Sequence, residues 1–224
     1  MTPEPVVIDL GEDRAVSGLW MQPDAAIAAL VLAHGAGAPM THKSMTAIAE
    51  GLAERGVATL RYNFPYMERG SKRPDTPAVA HEAVRAAVGQ AARLAPHLPL
   101  FAGGRAFGGR MTSQAQAAQA LPGVRGLVFF AFPLHPPAKP GVERAEHLAA
   151  IKIPQLFLQG SRDEFARLDL LEATVGGLGA LTTLKLLDAA DHAFHVPAKT
   201  GRKDADVLGE ALDTARAWML GREA

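Results

Sequence analysis

Phe101-Ala102-Gly103-Gly104-Arg105-Ala106-Phe107-Gly108-Gly109-Arg110 joins an apolar run, Leu98 to Ala102, to a stretch of helical composition from Phe107 to about Ala120. The run reads as a strand ended by Gly103-Gly104. The frame Gly104-x-Ala106-x-Gly108 then sits at a strand–turn–helix junction, the setting of the nucleophile elbow G-x-S-x-G, with alanine in the serine's place. The pattern has a physical reason. The central residue is held in a strained backbone conformation so that its side chain projects alone at the turn. Side chains two positions to either side would collide with the facing strand and helix, so glycine is required there. The turn is built for a nucleophile, but the methyl group of Ala106 cannot attack anything. Gly104 and Gly109 also have phosphate-loop spacing. There, however, Arg110 and Met111 follow instead of Lys and Ser/Thr, so the phosphate clamp and the magnesium ligand are missing.

Outward from this junction, apolar runs alternate with helical patterns. Ile27 to Ala33 (IAALVLA) is continuous, as in a strand buried on both faces. A helix from Ser44 places Met45, Ile48 and Leu52 on one face, with Gly56 as its stop. Val57 to Tyr62 is the next strand, followed by a loop rich in Pro, Arg and Gly. Thr76-Pro77 reads as an N-cap and first-turn proline. On the other side come a strand from Gly126 to Phe132 (GLVFFAF), a short helix near Val142 to Ala150, and strands at Pro154 to Gln159 and Leu184 to Leu187. A helix near Ala166 to Thr174 lies between the last two, and another from Asp206 to Leu220 follows. Val6 to Leu10 and Gly18 to Met21 are expected to form an antiparallel edge. The expectation is an α/β chain, residues 1–224 as one domain, with a doubly wound, mostly parallel sheet of about eight strands. In such sheets ligands bind at the carboxyl ends of the strands.

Two of those strand ends carry the residues that an elbow needs, in the chain order nucleophile, acid, histidine. Asp163 follows the strand ending at Gln159, and His192 follows the strand ending near Leu187. The imidazole would take the nucleophile's proton and the acid would orient the imidazole. Alone, Asp163 would more often cap a helix and His192 would more often sit on the surface; His195 and Glu164 are the rivals for the two roles. His34-Gly35-Ala36-Gly37, after the strand ending at Ala33, resembles the glycine-rich loop that supplies one oxyanion-hole N–H. Ala36 is expected to give it, with Gly35 second, and Phe107 gives the other. A dinucleotide-binding G-x-G-x-x-G fails here because the third glycine position is Met40.

The segments LAHGAGAPM from Leu32, RYNFPYMERG from Arg61, FAGGRAFGGRMTS from Phe101, AFPLHPP from Ala131, LQGSRDEF from Leu158 and DHAFHVP from Asp191 span nearly the whole chain. In them the chain resembles small bacterial α/β-hydrolases of the dienelactone-hydrolase-like kind. More narrowly, it is similar to the α/β-hydrolase-like domain of testis-expressed proteins and of a chromatin acetyltransferase subunit. The resemblance implies an esterase-type serine hydrolase with serine expected at position 106, and with Asp163 and His192 matching the acid and base. It supplies no substrate. Retention of Gly104, Gly108, Asp163, His192 and the His34 loop favours a deliberate or recent loss of serine over a long-standing pseudohydrolase that serves as a binding or interaction protein, because strain of this kind normally persists for function. No other serine has the elbow frame.

Composition bounds the remaining choices. Among 224 residues, 23 Lys+Arg balance 23 Asp+Glu, which argues against a nucleic-acid partner. Cysteine is absent, which removes disulfides and thiol catalysis. No segment reaches the ~18 apolar residues of a membrane span, and the N-terminus lacks a signal pattern, so a cytoplasmic location is the default. His192-x-x-His195 has no third ligand at a useful spacing, so neither metal nor cofactor is expected. Only about twenty residues separate Phe132 from the next strand, which leaves room for a minimal cap. The lining of an open site is expected from Gly35, Asn63, Phe64, Tyr66, Met67, Phe107, His135, Phe165 and Phe194, around a small ester or related acyl compound. A monomer or homodimer is expected. The basic run Arg69 to Arg73 reads as a solvated loop.

Overall fold

The computed structural model describes residues 1–221. Its centre is one eight-stranded sheet of order β1-β2-β4-β3-β5-β6-β7-β8. The strands are β1 (Glu4–Gly11), β2 (Arg14–Met21), β3 (Ala28–Ala33), β4 (Val57–Tyr62), β5 (Leu100–Arg105), β6 (Val124–Phe130), β7 (Gln155–Gly160) and β8 (Thr182–Leu187). β1 and β2 form the antiparallel edge, and β2 joins β4 antiparallel. From β4 to β8 every pairing is parallel.

The apolar runs become the middle of the sheet because a parallel strand buries both faces. Every residue of β3, β4 and β7 is buried. Six α-helices flank the sheet: α1 (Lys43–Glu54), α2 (Pro65–Glu68), α3 (Pro77–Leu94), α4 (Phe107–Ala118), α5 (Leu168–Gly176) and α6 (Asp204–Leu220). One face packs Met45, Ile48 and Leu52 of α1 and Val207, Ala211, Ala215 and Met219 of α6 against Leu30, Leu32, Val128 and Leu158. The other face packs Ala80, Val84 and Ala87 of α3, Met111 and Ala115 of α4, and Leu171 of α5 against Val31, Phe129 and Phe157. Between β6 and β7 the only helical element is a 3₁₀ helix, Glu143–Ala150, so there is no large cap.

Three local expectations are corrected and one, the start of α3, is met. Gly103-Gly104 does not end β5, which runs on to Arg105. The glycines are there because backbone is close on both sides: a Cβ on Gly103 would strike the Val128 carbonyl, and one on Gly104 would lie 2.6 Å from the Ala33 carbonyl oxygen. Thr76 is the N-cap of α3 and Pro77 its first residue, as expected, although the Thr76 side chain makes no capping bond. α1 is capped by His42, whose side chain accepts the Ser44 N–H, one residue ahead of the expected start. The stretch read as plain loop after β4 contains the single turn α2.

β3 lies between β4 and β5, so the chain leaves it on one side to make β4 and crosses back to make β5 on the other. This reversal opens a crevice beyond the carboxyl ends of β3 and β5. The loops after β3, β5, β6, β7 and β8 all emerge at that end of the sheet.

Candidate active site

β5 delivers its last residue, Arg105, to a single-residue turn before α4 begins at Phe107. That residue, Ala106, has φ 46° and ψ −117°, a region that an L-residue enters only under constraint. The constraint is visible in the neighbouring glycines. A Cβ on Gly108 would lie 2.5 Å from the His34 carbonyl oxygen and 2.6 Å from that of Ala33. α4 therefore starts hard against the end of β3, and the link from β5 must turn within one residue. The Ala106 N–H donates to the Phe130 carbonyl at 2.9 Å, which pins the turn to β6.

The loop after β3 passes directly over this turn: a Cβ on Gly35 would lie 3.8 Å from that of Ala106. His34 holds the loop from below. The ring is fully buried, its Nδ1–H donates to the Gly35 carbonyl at 2.8 Å, and its Nε2 accepts the Phe64 N–H at 3.0 Å. Nε2 can accept only from a neutral ring, and burial pushes the His34 pKa down in the same direction. The Gly37 N–H donates to the Tyr66 hydroxyl at 3.4 Å. At the start of α4 the first N–H groups have no intrahelical acceptor. Ala36 and Phe107 both line the same cleft.

β7 and β8 deliver the other two residues. Asp163 is 4% exposed, and its carboxylate oxygens lie 2.9 and 2.8 Å from His192 Nδ1. The carboxylate also accepts the Phe165 N–H at 2.8 Å and the Gln159 side-chain amide at 2.7 Å. A buried carboxylate with this many donors is fixed in place as well as satisfied. Gln159 is itself fully buried, and its amide also exchanges bonds with the backbone of Phe132 at 3.0 and 3.1 Å. One side chain thus ties the loop after β6 to the acid. The Phe165 ring lies against the imidazole of His192, with centroids 4.2 Å apart and planes tilted by 32°. With Nδ1 committed to Asp163, the Nε2 side of the ring is left for the cleft, which His192 lines.

The cleft has a volume of about 540 Å³. Gly35, Ala36, Ala106, Phe107, Phe165 and His192 line it. The other residues expected there do not. Phe64 and Tyr66 are fully buried beneath the His34 loop, where Phe64 meets the rings of His34 and Phe107 edge-on at 5.0 and 5.5 Å. Asn63 is occupied by the Met40 N–H and the Glu68 carboxylate. His135 is 2% exposed; its Nδ1–H donates to the Pro136 carbonyl and its Nε2 accepts the Arg167 N–H, which staples two loops together. Phe194 is 4% exposed in the core on the α1/α6 face, and Met67 packs against the core on the other. These groups support the rim and do not line it. His195 turns away to Asp204 at the start of α6, 2.9 Å distant, and Glu164 is exposed with no bond to an imidazole. Sequence reasoning missed Gln159 and the lining residues His42, Ser44, Pro74, Arg105, Arg110, Pro133 and Arg144. For Arg105 and Arg110 a signal existed: they stand one before and four after the turn residue, where side chains flank it.

Comparison with known proteins agrees with this fold. The solved structures that the chain resembles include an alpha-beta serine hydrolase homologue from Coxiella burnetii (21% identity, TM-score 0.72, covering 100% of this chain and 99% of that one). They also include a dienelactone hydrolase from Anabaena variabilis (20%, 0.77, 99% of each chain). A third is a serine hydrolase without lid from Xanthomonas campestris (21%, 0.75, 97% of this chain and 95% of that one). At such identities the likeness shows the fold. The family profile for the alpha/beta hydrolase domain matches residues 26–220, from just before β3 through α6 and the whole cleft between them, and the chain belongs to that family.

Proposed function

We propose that this chain carries the acyl-transfer machinery of an esterase-type serine hydrolase, complete except for the nucleophile. The observation that supports this reading is the turn residue Ala106, at φ 46°, lining one cleft with His192, whose imidazole is held by the buried Asp163. With serine at position 106 the steps follow. The hydroxyl oxygen attacks an ester carbonyl while His192 Nε2 takes its proton. The Ala36 and Phe107 N–H groups receive the oxyanion, each such donor being worth roughly 3 kcal/mol in the transition state. The proton passes to the leaving alkoxide, and water, deprotonated by the same imidazole, releases the acyl group. The substrate in this reading is a small ester or related acyl compound, and no metal or cofactor takes part.

With alanine the chain is a binding protein for the same ligands, a reading favoured by the open 540 Å³ cleft around an unreactive methyl group. We read the alanine as a recent or deliberate loss, because the strained turn and the acid–imidazole pair are both retained. The test is Ala106→Ser beside the chain as it stands, against short and medium p-nitrophenyl esters and a fluorophosphonate probe. Covalent labelling and turnover are expected in the serine protein alone, with a rate difference of at least about 10⁴-fold. A folded serine protein that neither labels nor hydrolyses any ester overturns the hydrolase reading and leaves the binding reading.

A further inference from the structure

Arg105, Arg110, Arg144 and His42 all line the cleft at Ala106, and no Asp or Glu is among its lining residues. The acid of the site, Asp163, lies behind His192 with its oxygens already occupied. Arg105 is in the field of Asp163 and Asp191, and its guanidinium reaches the His192 carbonyl at 3.4 Å. Arg110 and Arg144 have no such relief. Neither guanidinium makes an ion pair or side-chain hydrogen bond among the described residues, and the Nε–H of Arg110 is buried without a protein partner. Burial, and after it the charge of Arg144, pushes the Arg110 pKa down. Like charges brought together in a partly desolvated cleft are costly unless an opposite charge joins them.

The molecule contains its own contrast. A second cleft of about 550 Å³ lies beside α2 and α3 and is also lined by arginines. There Glu68 and Asp75 share the lining, Arg69 pairs with Asp75, and Arg14 pairs with Glu82. Acidic partners answer two of that cleft's three arginines, Arg73 making no ion pair among the described residues, whereas none of the arginines lining the cleft at Ala106 makes an ion pair there. The unbalanced charge is placed by secondary structure. Arg110 stands one turn into α4, about 6 Å along the helix axis from Ala106. Arg144 comes from the 3₁₀ helix between β6 and β7, which is clamped to α4 by His147 and Ser113 at 2.7 Å.

We propose that the ligand of this cleft is an acyl compound bearing an anionic group, a carboxylate or a phosphate, seated between Arg110 and Arg144 with its ester carbonyl at Ala106. The proposal deepens the hydrolase reading by naming a substrate class, but its binding half stands without catalysis. Guanidinium groups bind planar oxyanions through paired N–H donors, so the anion fixes orientation as well as affinity. The neutral walls, Ala38, Pro133 and Phe165, suit the carbon chain between the two ends.

The unreactive chain permits equilibrium binding without turnover. Calorimetric titration would compare monomethyl adipate, the neutral dimethyl adipate, and an analogue of equal length ending in a phosphomonoester. The monoanion is expected to bind at least tenfold more tightly than the neutral diester. Arg110→Gln and Arg144→Gln are each expected to remove most of that difference, and added salt to reduce it. Arg69→Gln, in the second cleft, leaves it unchanged. The ranking of carboxylate against phosphate identifies the anion. Equal affinity for the neutral and anionic esters, or a preference that survives both arginine substitutions in folded protein, overturns the proposal. Activity of the Ala106→Ser protein is scored separately. Selective anion binding with an inert serine protein keeps this inference and sinks the hydrolase reading. Turnover that favours neutral esters does the reverse.

Discussion

Ala106 is the residue on which fold and chemistry meet. Its backbone is held at positive φ by contacts it does not make itself: the close approach of Gly104 and Gly108 to the end of β3, and its own N–H bonded to Phe130. Such strain costs on the order of 1–3 kcal/mol. Alanine keeps the strain without the hydroxyl that would use it. Replacing it with glycine should relieve most of the strain, offset by the roughly 0.4–1 kcal/mol of chain entropy that glycine adds to the unfolded state. Ala106→Gly is therefore expected to raise unfolding stability by about 1 kcal/mol in urea titration. A loss of stability would mean that the turn is not strained. Gln159 has the opposite character, a fully buried polar side chain whose donor and acceptor are both used by the acid and the neighbouring loop. Gln159→Leu leaves Asp163 and the Phe132 backbone without those partners. It should cost about 2–4 kcal/mol by the same measurement, far more than a polar surface substitution.

At the level of elements, the site depends on α4 starting where β3 and β5 end. The clearance is set by Gly104, where a Cβ would lie 2.6 Å from Ala33 O and 2.8 Å from the Gly108 carbonyl carbon. Both are backbone atoms and cannot swing aside. Gly104→Ala should cost at least about 3 kcal/mol, or abolish soluble expression. An unchanged midpoint in thermal unfolding would refute the close packing. This packing also explains what the sequence made legible. The continuous apolar runs of β3 and β6 announced a parallel sheet because strands buried on both faces are mostly apolar. The elbow was legible because its glycines answer to backbone contact and not to local propensity. For the same reason the end of β5 was misread: Gly103 and Gly104 look like a strand stop until the neighbouring backbone is known. The lining aromatics were misassigned because a loop after a strand has no periodicity from which to read direction. Phe64 and Tyr66 turn inward to hold His34. Their charge gives the arginines no signal in the sequence, because a charged side chain is ordinarily solvated, and only the assembled cleft reveals that Arg110 and Arg144 line it together.

For the whole molecule, the balance of charge conceals a local imbalance that acid should expose. Formal net charge is zero, so neutral pH imposes little overall repulsion. Around α4 and the 3₁₀ helix, however, Arg110, His81 and His147 crowd together. Burial, with Arg110 and His81 adding to it, pushes the His147 pKa down from 6.5 to about 4. Ser113 commits its proton to the Arg110 carbonyl at 2.6 Å, so the neutral His147 ring donates to the Ser113 oxygen through Nε2–H. The sign of the linkage follows from these values. Between pH 6.5 and 4 the unfolded chain binds a proton at this position and the folded chain does not, so stability falls as pH falls through that window and levels off below it. His34, also held neutral by burial, acts in the same direction. Because His147 is only half-buried, solvent screening reduces its share to on the order of 1 kcal/mol. His147→Gln keeps an amide donor for Ser113 and removes the titration. Urea unfolding of both proteins at pH 7.5 and pH 4.5 separates this group from the carboxylates, which titrate equally in each. The parent should lose about 1 kcal/mol more than the variant between the two conditions. Equal losses would mean that His147 takes up its proton as readily in the folded protein as in the unfolded chain, so that burial beside Arg110 does not hold the ring neutral.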